Sequence, residues 1–354
     1  MKAPKKKAVI ICSLSLLFVG FGMWFFMPRN GLLDHAVLIA SGPEWIEPTD
    51  KSAGIPVYEW INSEEVLLFL PNADQNYSLW RKRILPVEKA TASTPLTITP
   101  PANLMNASLL SDNQTLELDT YQTQWINDTH VREHSLFFSL KTGKLIREIP
   151  HWVTGLWHDS DSSFWDFSQN NTDLEVTNLL TGNIKKRALK TKWGIDLKNI
   201  YAESIDRSGN LIAFSYSASK EGAPLPPEIV VEFNINTPEI PARKWEIPAP
   251  PDTSSFNGSF SPTKDRILWD VVSNKPIFPY NLAQLLPGVW KPIPKYLERW
   301  MVSDIYGHGM HTIAEVETVD SNEDSYAPVN LEWNPDGKHV SFLHKDGLYL
   351  IPVK

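Results

Sequence analysis

The chain has 354 residues and a formal net charge of −8, and its charges are distributed unevenly. Residues 1–30 carry five basic residues and no acidic one, so the remainder holds 28 basic and 41 acidic residues. An acidic body argues against nucleic acid as a partner and against a surface that binds anionic lipid. The length admits two average domains or one large all-β domain.

The first predicted element is a membrane segment. Residues 8–27, AVIICSLSLLFVGFGMWFFM, contain no charge and are long enough to cross a bilayer as a helix. The basic tail at residues 1–7 predicts a cytoplasmic N-terminus and an exported body. A cleaved signal peptide is the alternative, but its apolar core would be shorter and no A-x-A cleavage site follows promptly. We therefore predict an uncleaved signal anchor, followed by a linker over residues 28–35.

Cysteine usage bears on the compartment. The only cysteine, Cys12, lies in the predicted anchor, so the exported body has none. An extracellular eukaryotic domain of this size would usually hold disulfides. The sequence therefore predicts a single-pass membrane protein whose body lies in the bacterial periplasm or at the cell surface.

A repeat follows the linker. Each unit opens on an aromatic or apolar residue that ends one strand, continues through a polar turn and enters an alternating strand. A third strand follows, and often a fourth. Four antiparallel strands in a unit of ~40–50 residues are typical of a propeller blade. The opening residues of the units are Trp60, Leu110, Trp157, Ile205, Phe260 and Trp333.

The repeat predicts an all-β fold, a six-bladed β-propeller of four-stranded antiparallel blades, over residues 36–354. A β-sandwich is the alternative, and the regular spacing favours the propeller. The sixth unit ends after its third strand, and an N-terminal strand at residues 36–40 can supply the fourth, which would close the ring and cover exposed edges. The predicted blades cover about residues 56–99, 106–150, 153–190, 200–248, 255–317 and 329–353.

Three segments of the repeat carry a family resemblance. NPDGKHVSFLHKDGLYLIPV, FSPTKDRILWDVVS and WMVSDIYGHGMHTIAEV resemble the WD40-like repeats of TolB-type six-bladed propellers. Related repeats occur in the propellers of dipeptidyl-peptidase-IV-type enzymes. The resemblance is best over residues 255–354. It implies a fold and no particular activity, because propellers host many unrelated functions.

The predicted topology gives the disc two unlike faces. The turns after the first and third strands of each blade share one face, and the turns after the second strands share the other with the links between blades. The linker enters at the start of a fourth strand and spans at most ~28 Å, so the first face should look toward the membrane. The long connections at residues 122–133, 219–227 and 274–298 lie on the second face.

The longest connection is the predicted binding element. Connections over about 12 residues are uncommon unless they are functional or disordered, and residues 274–298 are too apolar for disorder. This insertion either covers its own disc or docks a partner, with Trp and Tyr as anchors. The predicted partner-binding residues on this face are Trp125, Trp193, Tyr280, Leu282, Leu285, Leu286 and Trp290.

Two histidine pairs are candidate metal ligands. His130 and His134 would share a face of a strand but lie ~13 Å apart, too far for one metal. His308 and His311 flank glycine in a predicted turn. The sequence also contains no G-x-S-x-G nucleophile elbow. We predict no metal site, no cofactor and no catalytic residue.

These observations predict a membrane-anchored propeller that binds or scaffolds another envelope protein without catalysis. The alternative is a propeller hydrolase or lyase that acts on glycan or peptide through a central pocket. Histidine, arginine and carboxylates meeting at the axis with shifted pKa values would favour the enzyme. An apolar, Trp-bearing rim on the face of the long connections would favour the binder.

Overall fold

Six four-stranded antiparallel sheets make up the computed structural model of the chain. No helix among the residues that the structure describes is long and apolar enough to cross a membrane. The predicted anchor at residues 8–27 lies outside them, so that prediction stays a prediction. The described residues are 35–45, 56–71, 77–101, 103–110, 112–123, 131–153, 156–158, 162–168, 172–195, 200–205, 208–215, 224–277, 295–319, 329–344 and 347–354.

The strands follow one another in chain order, four to a sheet, except at the start of the chain. After β1 (Val37–Ser41), blade 1 comprises β2 (Tyr58–Trp60), β3 (Glu65–Pro71), β4 (Tyr77–Arg83) and β5 (Thr94–Pro95). Blade 2 comprises β6 (Leu104–Leu109), β7 (Thr115–Thr123), β8 (Val131–Ser139) and β9 (Leu145–Ile149). Blade 3 comprises β10 (Leu156–His158), β11 (Ser163–Phe167), β12 (Asp173–Asn178) and β13 (Ile184–Ala188), followed by the short helix α1 (Leu189–Lys192).

The second half of the chain repeats this arrangement. Blade 4 comprises β14 (Ile200–Ile205), β15 (Asn210–Ser215), β16 (Glu228–Asn234) and β17 (Arg243–Ile247). Blade 5 comprises β18 (Thr253–Phe260), β19 (Arg266–Pro276), β20 (Lys295–Asp304) and β21 (His311–Val319). Blade 6 comprises β22 (Val329–Trp333), β23 (His339–His344) and β24 (Gly347–Pro352), with β1 as its outer strand.

Six apolar clusters arrange these sheets in a ring. Each cluster joins two blades that are consecutive in the chain, and the last one joins blade 6 to blade 1. Phe137 of blade 2, for example, packs against Phe164 of blade 3 with ring centroids 5.3 Å apart. The predicted six-bladed, all-β propeller of four-stranded antiparallel blades is therefore confirmed, and it agrees with the WD40-like resemblance at the level of the fold.

The tryptophans that open three of the repeat units lie between blades. Trp60, Trp157 and Trp333 are all buried. Trp60 Nε1 donates a hydrogen bond of 2.8 Å to Ser341 Oγ of blade 6, and Trp333 Nε1 donates one of 3.2 Å to the Ser259 carbonyl of blade 5. An indole N–H buried at such a position needs an acceptor, and here the acceptor belongs to the preceding blade.

Strand β1 lies antiparallel to β24. Val37 pairs with Leu350, and Ser41 pairs with Gly347, with an irregularity between Leu38 and Ala40. Ile39 is buried in the cluster between blades 6 and 1. The strand therefore begins where β24 ends, on the face that carries the turns after first and third strands. We call this the short-turn face, and the opposite one the long-connection face.

Blade 5 is taller than its neighbours on the long-connection face. Strands β19, β20 and β21 have 11, 10 and 9 residues, and the outer strands of the other five blades have only two to five, against the nine of β21. The pairing continues to Tyr296 with Pro276 and to Lys295 with Val319. Residues 295–297 extend β20 beyond Glu298 toward the long-connection face. At ~3.3 Å per residue they make this sheet about 10 Å taller.

Candidate functional site

One position on the six inner strands recurs around the propeller axis. It directly precedes the apolar residue that opens each repeat unit, and in blade 2 that residue is Leu109, one residue before the predicted Leu110. Because blades 6 and 1 are neighbours, the two acidic occupants lie on adjacent inner strands. The occupants, identified from the strand registers, are Glu59, Ser108, Leu156, Ser204, Ser259 and Glu332.

Glu59 and Glu332 are the two carboxyl groups of this ring. Burial raises the pKa of Glu59 to about 7. Burial also raises the pKa of Glu332 well above its usual range, and the negative charge of Glu59 adds to that effect. Two neighbouring carboxyl groups removed from water do not both ionise, because each charge disfavours the other. The pair therefore holds at least one proton near neutral pH.

Ser341 ties this pair into the joint between blades 6 and 1. Its Oγ donates to the Glu332 carbonyl at 3.3 Å and accepts the hydrogen bond from Trp60 Nε1. Tyr58 Oη lies 2.9 Å from the same Oγ. Burial raises the pKa of Tyr58, and the charge of Glu332 raises it further. Tyr58, Trp60 and Ser341 are buried, and the hydrogen bond from Ser341 holds the backbone of Glu332 in this joint.

A second pair of carboxyl groups lies in blade 2. Glu117 and Asp119 are two residues apart on β7, so they share one face of the sheet, and both are buried. Burial raises the pKa of Glu117 to about 8, with a smaller contribution from the charge of Asp119. Ser135 Oγ donates to Asp119 Oδ1 at 2.5 Å and accepts from the Val153 N–H at 2.9 Å.

Further carboxyl groups lie in blades 4 and 5. Glu228 and Glu298 occupy equivalent positions on β16 and β20. Each lies six residues before the residue that pairs with the start of the second strand, which is Asn234 in blade 4 and Asp304 in blade 5. Burial raises the pKa of Glu228 to about 7. Burial likewise raises the pKa values of Asp270 and Glu298, and the Asp270 charge adds to the shift of Glu298. Trp300 Nε1 donates to Glu298 Oε1 at 2.7 Å.

These groups share one chemical property. Each is a carboxyl group with a raised pKa on one of the first three strands of a blade, and none has an ion pair to a basic side chain among the described residues. A protonated carboxyl group donates a hydrogen bond or a proton, and an ionised one attracts a cation. We call these residues the carboxylate set. It comprises Glu59, Glu117, Asp119, Glu228, Asp270, Glu298 and Glu332.

The structure removes one residue from the predicted partner-binding set. Trp193 is only 1 % exposed. Its ring packs against Phe233 with centroids 5.2 Å apart, and its Nε1 donates to the Asn234 carbonyl at 3.3 Å. The helix α1 turns this side chain into the core between blades 3 and 4, so it has no surface to offer a partner. The other predicted residues, Trp125, Tyr280, Leu282, Leu285, Leu286 and Trp290, lie outside the described residues.

The histidine pairs have local partners. His134 is buried with Nδ1 2.7 Å from Glu148 Oε1, while Glu133 is exposed, and His130 lies outside the described residues. His308 and His311 flank Gly309 at the turn between β20 and β21. Their Nδ1 atoms lie 3.3 Å from Asp304 Oδ2 and 2.9 Å from the Gly309 carbonyl. Across the described ranges, no group of three His, Cys, Asp or Glu side chains is arranged to hold a metal ion.

The carboxylate set was missed by reasoning from the sequence. One signal for it exists, because a Glu-Trp pair occurs at residues 59–60 and again at residues 332–333, in register with the repeat. Aligning the units on the tryptophan places both glutamates at one inner-strand position. The other members carry no such signal, since an isolated Asp or Glu in a strand reads as a solvated residue.

No protein-family model and no curated protein matches the chain. Solved structures do show similarity. An oligogalacturonate lyase from Vibrio parahaemolyticus is 12% identical with a TM-score of 0.46, over 83% of this chain and 76% of that one. The C-terminal WD40 domain of Sif2 is 12% identical with a TM-score of 0.40, over 90% and 98% of the two chains. The tricorn protease is 13% identical with a TM-score of 0.41, over 84% and 29%. At these values the likenesses say nothing about activity.

Proposed function

We propose that this chain is a membrane-anchored, extracytoplasmic propeller that binds another envelope protein through its long-connection face. The uncharged segment at residues 8–27 supports the anchor. Strand β1 begins at the short-turn face, so a tether that precedes it leaves from that side. The long-connection face then points away from the membrane, where a partner has access to it.

The height of blade 5 is the observation that carries this proposal. Three paired strands rise about 10 Å above Glu298 at ~3.3 Å per residue, and β19 and β20 lead into residues 278–294. That segment contains Tyr280 and Trp290, residue types that dominate the energetics of protein interfaces. A rigid sheet that ends in an apolar segment is a suitable support for such anchors.

Carboxyl groups near this face indicate the chemistry of the partner. Glu133, Glu228 and Glu298 stand at the same register position on three third strands. The positive charge of a partner segment with Lys or Arg side chains would favour the ionised forms of Glu228 and Glu298, whose pKa values burial raises. We therefore propose a partner that presents a basic segment to this face.

Crosslinking in intact cells tests the proposal. A photoreactive residue replaces Tyr280 in the full chain, and covalent products are captured and identified. A second variant replaces residues 278–294 by a short Gly-Ser turn. It keeps Ile277, whose N–H donates to the Lys295 carbonyl at 2.8 Å, so the paired strands stay intact. We expect one envelope protein to be captured by the first chain and its association to be lost in the second.

A matched control lies on the opposite face. Ile240 is exposed in the turn between β16 and β17, so Ile240→Ser should leave partner capture unchanged. Equal thermal unfolding of the three chains shows that the loss is not due to misfolding. Recovery of no specific protein from a folded, full-length chain would contradict the binding proposal.

We also propose that β1 closes the ring by completing blade 6. Its register with β24 and the burial of Ile39 between blades 6 and 1 support this. The two ends of the propeller sequence would then meet in one sheet.

A second candidate function rests on Glu59 and Glu332. Two adjacent carboxyl groups with raised pKa values are suited to act as a general acid and a general base in a hydrolase or lyase that takes glycan or peptide at the axis. The test is product formation from glycan and peptide panels by the wild-type chain and by Glu59→Gln and Glu332→Gln. Turnover that both substitutions abolish would favour the enzyme over the binder.

A further inference from the structure

The strongly exposed large apolar side chains all lie in one region. Isolated exposed apolar residues are normal on any protein surface, so their position is the informative property. In the described ranges, every one of them lies at the outer edge of the short-turn face, and each blade contributes at least one. They are Val37, Leu38, Val87, Leu145, Ile146, Leu180, Ile184, Ile240 and Tyr306, with exposed fractions of 40–65%.

The topology explains why these residues form a ring. Four of them, at positions 87, 180, 240 and 306, lie in the turns that join third strands to fourth strands. The others lie in the first two residues of β1, β9 and β13. All of these segments share one face, and they belong to the part of each blade that is farthest from the axis. We call this ring of turns and strand beginnings the short-turn rim.

Basic side chains share the short-turn rim. Lys141, Lys144 and Lys185 have no acidic partner among the described residues and extend from the turns and strand beginnings of blades 2 and 3. Acidic residues are fewer there, and Glu148 lies against His134. The basic side chains of the rim are Lys89, Lys141, Lys144, Arg147, Lys185, Lys186, Arg187, Arg243, Lys244 and Lys354, against Glu88, Glu148, Glu239, Glu246 and Asp304, and two of these bases, Lys186 and Arg243, are paired with Glu175 and Glu232 of the neighbouring strands.

Arginines connect neighbouring blades at two points of the rim. Arg147 donates to the Thr181 carbonyl of blade 3 at 3.3 Å. Arg243 donates to Tyr306 Oη of blade 5 at 3.2 Å. These contacts bring exposed apolar residues of neighbouring blades onto one surface.

A cavity opens on the same rim, between the outer strands of blades 5 and 6. It has a volume of about 230 Å³ and is lined by His35, His311 and Lys354 among others. His35 directly precedes β1, so the cavity lies where the tether enters the disc. Lys354 and the two histidines offer donors to a phosphate-bearing headgroup, beside the apolar Ile313, Ile351 and Pro352.

From these observations we infer that the short-turn rim rests on the surface of the bilayer, with its aliphatic side chains among the headgroups and its Lys and Arg side chains on lipid phosphates. The inference rests on the proposed anchor, because the tether brings this face to the membrane. Apolar side chains flanked by basic ones are the combination that binds an interface containing anionic lipid. The acidic composition of the whole chain argued against such a surface, but it does not describe the charge of this rim.

Fluorescence quenching in vesicles tests the inference with the full chain. Cys12→Ser removes the native thiol, and an environment-sensitive probe is attached to Leu180→Cys on the rim or to Lys275→Cys on the long-connection side. Vesicles of phosphatidylethanolamine and phosphatidylglycerol carry a headgroup nitroxide. We expect severalfold stronger quenching at position 180 than at position 275, and weaker quenching at position 180 in phosphatidylcholine alone. Equal quenching at both positions, or none at either, would overturn the inference.

Flotation of the same samples separates this inference from the proposed anchor. A chain that floats with the vesicles without quenching at position 180 leaves the anchor standing and rejects the rim contact. If the chain does not float with the vesicles, the anchor is rejected. If such a chain also shows no quenching when vesicles are added, the rim contact is rejected as well. A probe at position 180 that is shielded without vesicles, in proportion to protein concentration, would assign the rim to a second copy of the chain. Partner capture is measured separately and does not depend on these outcomes.

Discussion

The short-turn rim and the carboxylate set differ in both position and electrostatics. The basic residues of the rim lie on the fourth strands, in the turns before them and, for Lys354, after the third strand of blade 6, and most of them are exposed to water. The carboxylate set lies on the first three strands, between packed blades, where desolvation raises the pKa values of Glu117 and Glu228 to about 8 and about 7. The same repeat therefore places its bases in water and several acids where burial raises their pKa values.

This difference changes the meaning of the net charge. The formal value of −8 counts every Asp and Glu as ionised. Buried carboxyl groups that hold their protons near neutral pH do not contribute to the field outside the protein. The folded chain is therefore less acidic than its composition indicates, and the basic rim is not cancelled by the acids inside the blades.

The largest expected effect tests whether both regions belong to one closed disc. Ile39 is buried between blades 6 and 1, so Ile39→Ala should lower the free energy of unfolding by about 2–5 kcal/mol through the lost contacts and the cavity left behind. Val37→Ala is the matched control on the same strand, because Val37 is 58% exposed and should cost less than about 0.5 kcal/mol. Urea unfolding measures both, and equal costs would mean that β1 does not close the ring.

The second prediction concerns the pH dependence of the interior. Glu117 ionises near 4.5 when unfolded and at about 8 when folded, so its stabilising contribution is complete below pH 4.5 and is lost as the pH rises to about 8. Over that interval the free energy of unfolding should fall by up to about 1.4 kcal/mol per pH unit from this group. In Glu117→Gln this part of the slope should disappear.

Urea titrations from pH 5 to pH 8 measure this slope. The exposed Glu239 provides the control, since Glu239→Gln should keep the wild-type slope. A Glu117→Gln profile that runs parallel to the wild type would show that Glu117 is ionised in the folded chain.

A smaller effect sharpens the description of the interior. Ser135 Oγ bonds both Asp119 and the Val153 N–H, so Ser135→Ala leaves a buried acceptor and a buried donor with one partner fewer. We expect a loss of about 1–3 kcal/mol in the free energy of unfolding. Ser139→Ala, on the same strand but partly exposed, should change it by about 0.5 kcal/mol or less. Similar costs at the two serines would argue against the buried network.

The smallest effect is expected on the rim. Leu180→Ser and Ile240→Ser replace side chains that are 65% and 58% exposed, so the free energy of unfolding should stay within about 0.5 kcal/mol of the wild type. The same substitutions should weaken quenching by headgroup nitroxides. Destabilisation of 2 kcal/mol or more, on the scale of a core substitution, would show that these residues pack inside the fold and would remove them from the rim.

Blade number and blade architecture were predictable because they depend on a pattern repeated along the chain. The apolar residues at 60, 157 and 333 recur in register with a turn and an alternating strand, and that periodicity is visible in one sequence. The outer strand of blade 1, Thr94–Pro95, was not predictable, since two residues carry no periodicity.

The candidate site was less predictable because it depends on contacts between blades. Glu117 and Asp119 alternate with apolar residues on β7, a pattern typical of a strand with one solvent-exposed face. Only the packing of blade 3 on that face buries the two carboxyl groups. Trp193 shows the converse. It lies in a connection, but the turn of α1, with the Trp193 N–H donating to the Leu189 carbonyl, directs it into the core. The rim likewise emerges only when five separate turns and the beginning of β1 meet on one face.

The direction of β1 determines how the molecule would bear tension. If β1 closes the ring and the chain is tethered as proposed, a pull from the membrane enters at Val37 and runs along the strand toward Ser41. Hydrogen bonds between antiparallel strands are perpendicular to the strands, so this pull loads the rungs of the β1–β24 ladder together, in shear. A pull across the strand would instead open them one after another, like a zipper. Tension between the membrane and a partner drawn away from it would therefore load the β1–β24 pairing in shear, the direction in which its hydrogen bonds resist together.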